Sequence, residues 1–246
     1  MIIDGKKIAD GVLAEIGESL RGTTLGVVMV GGDTATESFV KIKTRVAERL
    51  GVEIKRFDPT EFAHAIKCDG VIIQMPIPNA DELIAALPPA KDVDGLTSHS
   101  IVRPPVAEAI SEILSRSNVF AQEKKAAVVG AGKLVGLPAA ALLRELGADV
   151  VVVTQTRGSL EELKDADIVV CGAGEPGLIK PAMLKLGVVL IDAGTSEAGG
   201  KLAGDADPAC AEVAGVFTPV PGGVGPIAVA MIFKNLQALV ARANGK

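Results

Sequence analysis

Between residues 126 and 192 the chain repeats one pattern: a short run of small apolar residues, a stretch of helical length, then another run. The runs are Ala126–Gly130, Val150–Thr154, Ile168–Cys171 and Val188–Asp192, with a shorter one near Val216. Strands apolar on both faces must be covered on both faces, and parallel strands joined by helices meet that need. Val135–Leu146 has the length and pattern of one covering helix, and Leu160–Leu163 begins another helical segment. This alternation predicts an α/β fold with a doubly wound parallel sheet. Composition agrees: with six Phe, no Trp and no Tyr in a chain that is 48% hydrophobic, the core must be built from Ala, Val, Ile and Leu.

The first 118 residues carry the theme less regularly. Ile8, Val12, Ile16 and Leu20 share one face of a predicted helix over Ile8–Leu20. A buried strand, Leu25–Val30, ends at Gly31-Gly32-Asp33. A helix over Ser38–Leu50 is closed by Gly51. Strands follow at Val52–Phe57 and Gly70–Gln74, the second stopped by Pro76 and Pro78. A short helix at Asp81–Leu87 leads into a loop, Pro88–Ser100, and then a helix at Ala107–Ser115. The polar stretch Arg116–Glu123 marks the domain boundary. Domains are therefore expected at 1–118 and 119–226, with a last helix within 227–246.

Several function classes are excluded. A net charge of −5 offers no general basic field to nucleic acid or to an anionic membrane. No apolar run reaches the ~18–20 residues that span a bilayer. Asp4, Lys6, Lys7 and Asp10 interrupt the start, which does not read as a signal peptide. Cys68, Cys171 and Cys210 form no Cys-x-x-Cys pair, so they read as reduced thiols of a cytoplasmic protein, not as a disulfide framework or zinc site. His64 and His99 lack a partnered ligand spacing, and no metal is expected.

Gly130-Ala131-Gly132-Lys133-Leu134-Val135-Gly136 follows a strand and opens a helix. Glycines there permit a tight turn and close backbone approach, and the helix N-terminus presents N–H groups to a pyrophosphate. The spacing is Gly-x-Gly-x-x-x-Gly, one residue longer than the usual dinucleotide fingerprint. The next strand ends in Thr154-Gln155-Thr156-Arg157, with no acid to hold a ribose hydroxyl and one Arg suited to a 2′-phosphate. NADP is therefore preferred, with NAD as the alternative.

Three further stretches are Val71-Ile72-Ile73-Gln74-Met75-Pro76-Ile77-Pro78, Lys91-Asp92-Val93-Asp94-Gly95, and Thr218-Pro219-Val220-Pro221-Gly222-Gly223-Val224-Gly225-Pro226. In identity, order and spacing they resemble the bifunctional methylenetetrahydrofolate dehydrogenase/methenyltetrahydrofolate cyclohydrolase family. The likeness runs from Ile2, Asp4 and Gly5 to the last helix. It implies a folate domain joined to a Rossmann domain, a last helix that returns to the first domain, and a homodimer. It implies NADP-linked oxidation of methylenetetrahydrofolate, then hydrolysis to formyltetrahydrofolate, within one-carbon metabolism. By resemblance Lys43, Gln74 and Asp94 are catalytic, with Asp94 holding the pterin ring and Gln74 supporting the Lys. Phe39 stands where the family usually has Tyr, four residues before Lys43. Pro76, Gly222, Gly223 and Pro226 join the substrate site. Gly130, Ala131, Gly132, Lys133, Val135, Gly136, Thr156, Arg157, Gly174, Pro176 and Gly223 form the cofactor site.

The chain also departs from the family. Gly130-Ala131-Gly132 replaces Gly-Arg-Ser, Ile227-Ala228 replaces Met-Thr, and Arg103-Pro104-Pro105 replaces Cys-Thr-Pro. The link between Phe57 and Gly70 is short. Taken singly, each feature has a plainer explanation. Lys41, Lys43 and Arg45 suit the polar face of a helix, Gln74 a strand end, Asp92 and Asp94 a turn, and Gly222–Gly225 a tight turn. Their joint occurrence is what favours a site. Three alternatives remain at this point: a monofunctional folate dehydrogenase, a shikimate-dehydrogenase-like NADP oxidoreductase, and a non-catalytic dinucleotide sensor. The proline-glycine string argues against the second.

Overall fold

The computed structural model describes residues 1–31, 34–198 and 201–245. The Gly32-Asp33 part of the expected turn lies outside the described residues. Contacts divide the chain into two units, Met1–Ile8 with Val106–Ala228, and Ala9–Pro105 with Val229–Lys246. The expected boundary at 118/119 falls inside the first of these. Residues 1–8 join that unit because they lie along its edge strand: the Ile3 N–H donates to the Phe217 carbonyl at 2.9 Å, and the Phe217 N–H to Met1 at 2.9 Å. Residues 229–246, the end of the chain, cluster with the other unit, where a returning last helix belongs.

The unit of 9–105 and 229–246 holds a three-stranded parallel sheet of β1 (Thr24–Val28), β2 (Glu53–Phe57) and β3 (Gly70–Ile73), in the order β2-β1-β3. Helix α1 (Gly5–Ile16) precedes it and α2 (Thr34–Leu50) joins β1 to β2. The expected helix over Ile8–Leu20 is thus shifted, since residues 17–22 turn. The link between Phe57 and Gly70 forms a 3₁₀ turn, Pro59–Glu61, and a short helix, α3 (Phe62–Ala65). Asp58 caps this turn, accepting from the Thr60 N–H at 3.0 Å, while Glu61 accepts from the Asp58 N–H at 3.1 Å. After β3 come α4 (Ala80–Ala86) and the start of α5 (Pro105–Arg116). Val28, Ala65, Val71, Ile73, Ile77 and Leu87 form the core on one side of this sheet.

The other unit holds five parallel strands: β4 (Lys125–Val129), β5 (Asp149–Val153), β6 (Ile168–Cys171), β7 (Val189–Asp192) and, after a small antiparallel pair, β10 (Val216–Phe217). The pair is β8 (Ser196–Ala198) with β9 (Lys201–Ala203). The sheet order is β10-β7-β6-β4-β5. Counted along the chain this is 2-1-3-4-5, a doubly wound order whose direction switches between β4 and β6. β4, β6 and β7 are buried almost throughout, as their unbroken apolar runs require. Helix α6 (Gly136–Glu145) follows β4. The segment after Ser159, expected to be helical, is a 3₁₀ stretch, Leu160–Lys164, whose start Ser159 caps at 3.2 Å from the Glu161 N–H.

The last helix, α7 (Val224–Ala243), begins three residues before the expected Ile227. Pro226 falls in its first turn, where a missing N–H costs no hydrogen bond. α7 is long and apolar enough to cross a membrane, a length the sequence reading did not anticipate. Ile227, Phe233, Leu236 and Leu239 are nevertheless buried in protein, as in a core helix.

Gly70, a glycine inside a buried strand, answers a close approach. A Cβ there would lie 2.5 Å from Val93 Cγ1 and 2.7 Å from Leu236 Cδ1. Gly70→Ala should therefore overpack this core and lower unfolding stability by about 1–3 kcal/mol in urea titrations. An unchanged midpoint would show that Val93 and Leu236 yield freely.

Candidate active site

In both sheets the chain order reverses beside the first strand, and in open parallel sheets ligands bind outside the carboxyl ends of the two strands that flank such a switch. In the three-stranded unit those strands are β1 and β3. α2 follows β1 and carries Lys43, and Gln74 follows β3 directly. The Lys43 ammonium donates to Gln74 Oε1 at 2.7 Å. The Gln74 amide nitrogen donates in turn to the Met75 carbonyl at 3.1 Å, so the amide oxygen is left to face the Lys. Phe39 lies one helical turn before Lys43 on α2 and is half-buried. Pro76 is exposed just beyond Gln74.

Asp94 completes this cluster, and its neighbour Asp92 explains how. Asp92 is fully buried and accepts from the N–H groups of Leu96 at 3.1 Å and Thr97 at 2.8 Å. Asp92 is thus the turn-forming acid of the pair. Asp94 instead meets the charge of Lys43. Burial pushes its carboxyl up to about 6; Lys43 opposes that shift and Asp92 adds to it. Burial likewise pulls the Lys43 ammonium below the usual lysine range, against the pull of Asp94. Burial therefore disfavours the charged form of both groups, while their mutual attraction favours it.

The second cluster lies in the five-stranded unit, at the carboxyl ends of β4 and β6. A Cβ on Gly130 would lie 2.4 Å from the Gly172 carbonyl oxygen, and one on Gly136 would lie 2.1 Å from that of Gly130. Gly172 is itself pressed against Val135, whose Cγ1 would be 2.3 Å from an added Cβ. These glycines let strand, turn and helix close on one another. Gly132 differs: nothing lies within 4 Å of a Cβ there. Ala131, Gly132 and Lys133 are exposed, and the start of α6 has neither a side-chain cap nor an acid in its first turn. An open glycine before an uncapped helix start fits a dinucleotide pyrophosphate.

Two buried acids that the sequence reading passed over shape this cluster. Asp205 is fully buried and accepts from the N–H groups of Ala173 (2.6 Å), Gly174 (3.2 Å) and Glu175 (2.9 Å). It thereby holds the exposed loop after β6 that contains Gly174 and Pro176. Asp192, at the end of β7, accepts from Gly194 (2.9 Å), Asp205 (3.2 Å) and Ala206 (2.8 Å). Burial pushes its carboxyl up to about 6 despite these bonds. An acid closing a fully apolar strand was the available signal for Asp192; the partners of Asp205 lie about thirty residues away and leave none.

At the end of β5 the chain turns sharply, with Thr154 N–H to Arg157 carbonyl at 2.7 Å and Arg157 N–H to Thr154 carbonyl at 3.4 Å. The Thr156 N–H leans on Thr154 Oγ1 at 3.4 Å. Thr156 and Arg157 are exposed at the tip. In the same unit Gly223 is buried, its N–H bonded to the Pro219 carbonyl at 2.7 Å, and Gly5 N–H reaches the Gly222 carbonyl at 2.9 Å. Pro226 lies at the start of α7. Cys171 is a core residue whose thiol burial pushes well above its ordinary value. His64 and His99 are exposed.

Known families match both stretches of sequence that carry these clusters. Residues 3–94 match the catalytic-domain model of the tetrahydrofolate dehydrogenase/cyclohydrolase family, and residues 104–244 match its NAD(P)-binding-domain model. A bifunctional protein FolD of Halothermothrix orenii is 37% identical, over 95% of each chain. The solved bifunctional FolD dehydrogenase/cyclohydrolase of Campylobacter jejuni is 26% identical and superposes with a TM-score of 0.92 over 99% of both chains. That of Trypanosoma brucei, solved with NADP cofactor and an inhibitor, is 27% identical with a TM-score of 0.91, covering 99% of this chain and 98% of that one. By its sequence and by the glycine turns and acid–lysine cluster those matches span, the chain belongs to the tetrahydrofolate dehydrogenase/cyclohydrolase family.

Proposed function

We propose that this protein oxidises methylenetetrahydrofolate to methenyltetrahydrofolate with NADP and then hydrolyses the product to formyltetrahydrofolate. The observation that carries the hydrolytic half is the Lys43–Gln74 hydrogen bond of 2.7 Å beside Asp94. Bound NADP supplies the hydride acceptor. The protein's part in oxidation is alignment, because nitrogen lone pairs stabilise the cation left behind. Gly130, Gly132 and Gly136 with the start of α6 would hold the pyrophosphate, and the exposed loop at 173–176 would line the cofactor site.

Hydrolysis asks more of the side chains. Water adds to the methenyl carbon and loses one proton; one carbon–nitrogen bond then breaks as that proton passes to the leaving nitrogen and the remaining hydroxyl proton is released to solvent, leaving the formyl carbonyl. Lys43, lowered by burial, takes and returns that proton. Gln74 aims its nitrogen. The Asp94 carboxylate accepts the paired donors at the aminopyrimidine end of the pterin. Phe39 keeps a flat face for the substrate ring but lacks a phenol.

The monofunctional alternative lacks support beside this cluster, and the shikimate-dehydrogenase-like one lacks it beside the proline-glycine string. The same proposal includes a cytoplasmic homodimer that contributes to one-carbon metabolism and purine synthesis. Three free, buried cysteines support the location, and the family resemblance supports the assembly.

Absorbance assays that resolve nicotinamide reduction from methenyl accumulation test the reading. Lys43→Met should cut hydrolysis at least about a hundredfold while leaving measurable hydride transfer. Phe39→Tyr should raise hydrolysis alone. Hydrolysis at the parental rate in Lys43→Met would remove Lys43 from proton handling, and a parent that hydrolyses the methenyl compound no faster than buffer alone would return the monofunctional reading.

Asp94→Ala should weaken folate binding and reduce both activities together. The Asp94 carboxyl is charged above about 6 and protonated below it. The folate KM of the parent should therefore rise roughly tenfold per pH unit below that value, and the variant should lack this limb. A KM that ignores pH between 4 and 7 in the parent, taken as an order-of-magnitude window around the carboxylate range, would leave Asp94 out of folate binding.

Arg157→Ala should raise the KM for NADP about five- to tenfold and leave that for NAD nearly unchanged. Equal losses for both cofactors would exclude Arg157 from 2′-phosphate recognition.

A further inference from the structure

Asn235 is a buried polar side chain of α7 that the chemistry above does not use. Its amide nitrogen donates to the Val93 carbonyl at 2.8 Å and to the Arg103 carbonyl at 2.9 Å. Carbonyls only accept, so the nitrogen must face both. The Val93 carbonyl belongs to the peptide group whose nitrogen is that of Asp94. The Arg103 carbonyl belongs to the peptide that ends the same loop. Gly95 packs on that second peptide: a Cβ there would lie 2.6 Å from Pro104 N and 2.8 Å from Arg103 C. One side chain, 142 residues from one partner and 132 from the other, thus ties the two ends of the Asp94 loop together. Asp92 holds the middle through Leu96 and Thr97. A serine at 235 would offer one donor and an aspartate none, so the double clasp needs an amide.

We propose that Asn235 is a positioning residue for folate binding: it fixes the peptide plane that carries Asp94, and so the direction in which the Asp94 carboxylate meets the pterin ring. This rests on the reading of Asp94 as the pterin-binding acid. Asn235 acts on the substrate only through Asp94.

The test is calorimetric titration of the full-length protein with tetrahydrofolate and, separately, with NADP; a chain without Trp or Tyr offers little intrinsic fluorescence to follow. The proteins are the parent, Asn235→Ala, Asn235→Ser, Asp94→Ala and the Asn235→Ala/Asp94→Ala pair. Asn235→Ala should weaken tetrahydrofolate about tenfold with NADP affinity within about twofold of the parent, and Asn235→Ser should fall between. In the Asp94→Ala background, Asn235→Ala should change little more, because residues acting through one contact are not additive. Fully additive losses would overturn the proposal, as would loss of both ligands together or failure of both Asn235 variants to fold, since the side chain would then merely hold the fold. If Asp94→Ala binds tetrahydrofolate like the parent, the reading of Asp94 itself fails. If Asp94→Ala is impaired and Asn235→Ala is not, only the positioning role falls.

Discussion

Buried carboxylates saturated by backbone N–H groups set the shape of both clusters. Asp92 holds the N–H groups of two residues, and Asp192 and Asp205 hold three each. Removing a carboxylate from water costs several kcal/mol, and a charge-assisted bond returns about 1.5–3 kcal/mol, so two or three are needed to offset burial. Such an anchor adds little net stability. What it adds is direction: every N–H it accepts must point inward at one place. That matters here because parallel sheets deliver function through loops at strand ends, and loops have no ladder of their own to fix them. The Asp205 loop presents residues 173–176 to solvent while its backbone donors point to the interior.

Asp94 shows the same residue type in a different setting, facing a buried cation instead of backbone N–H groups. Two positions from Asp92, it meets Lys43 in a desolvated setting that raises the acid to about 6 and lowers the lysine. Burial pushes each group away from its charged form, and the attraction between them pulls the other way. Gln74 keeps this arrangement from collapsing. Its amide oxygen holds Lys43 without adding charge, so the lysine has a fixed place that does not restore its ordinary basicity.

Both parallel sheets were legible because their central strands are buried on both faces. Runs such as Val169–Cys171 leave no other reading, whereas β2, half-buried at an edge, was marked only by its flanking turns. The small β8–β9 pair went unread because three-residue strands carry no periodicity, although Gly199-Gly200 between them is a hairpin signal in the sequence. The box of Asp58 and Glu61 was likewise present in the sequence, beside a link read only as short. The last helix was placed three residues late because Pro226 sits inside its first turn. In the site, Lys43, Gln74 and Asp94 emerged as a set, through family resemblance, because no one of them differs from an ordinary surface residue. Asp192, Asp205 and Asn235 stayed hidden for a physical reason. Their partners are backbone atoms of distant segments, and a backbone N–H or carbonyl has no letter in the sequence.

The glycine turn of the larger unit departs from its family in a way that shifts work to another loop. Ala131 stands where the resemblance places an arginine, and Gly132, where it places a serine, faces open space. The turn therefore offers backbone donors and room, which suit a pyrophosphate common to both nicotinamide cofactors. It offers no side chain at those two positions to tell one from the other. The discrimination proposed for this chain rests instead on the end of β5, where the backbone is closed on itself by the paired Thr154 and Arg157 bonds. A turn fixed in that way presents the Arg157 guanidinium from a set point without a buried partner, at little ordering cost to the loop. The absence of an acid between Thr154 and Arg157 removes the group that would repel a phosphate. Selectivity built on one exposed cation is screened by salt, because such a charge is separated from its ligand by high-dielectric surroundings. A preference for NADP arising here must accordingly narrow as ionic strength rises, whereas one arising from a buried arginine in the glycine turn would persist.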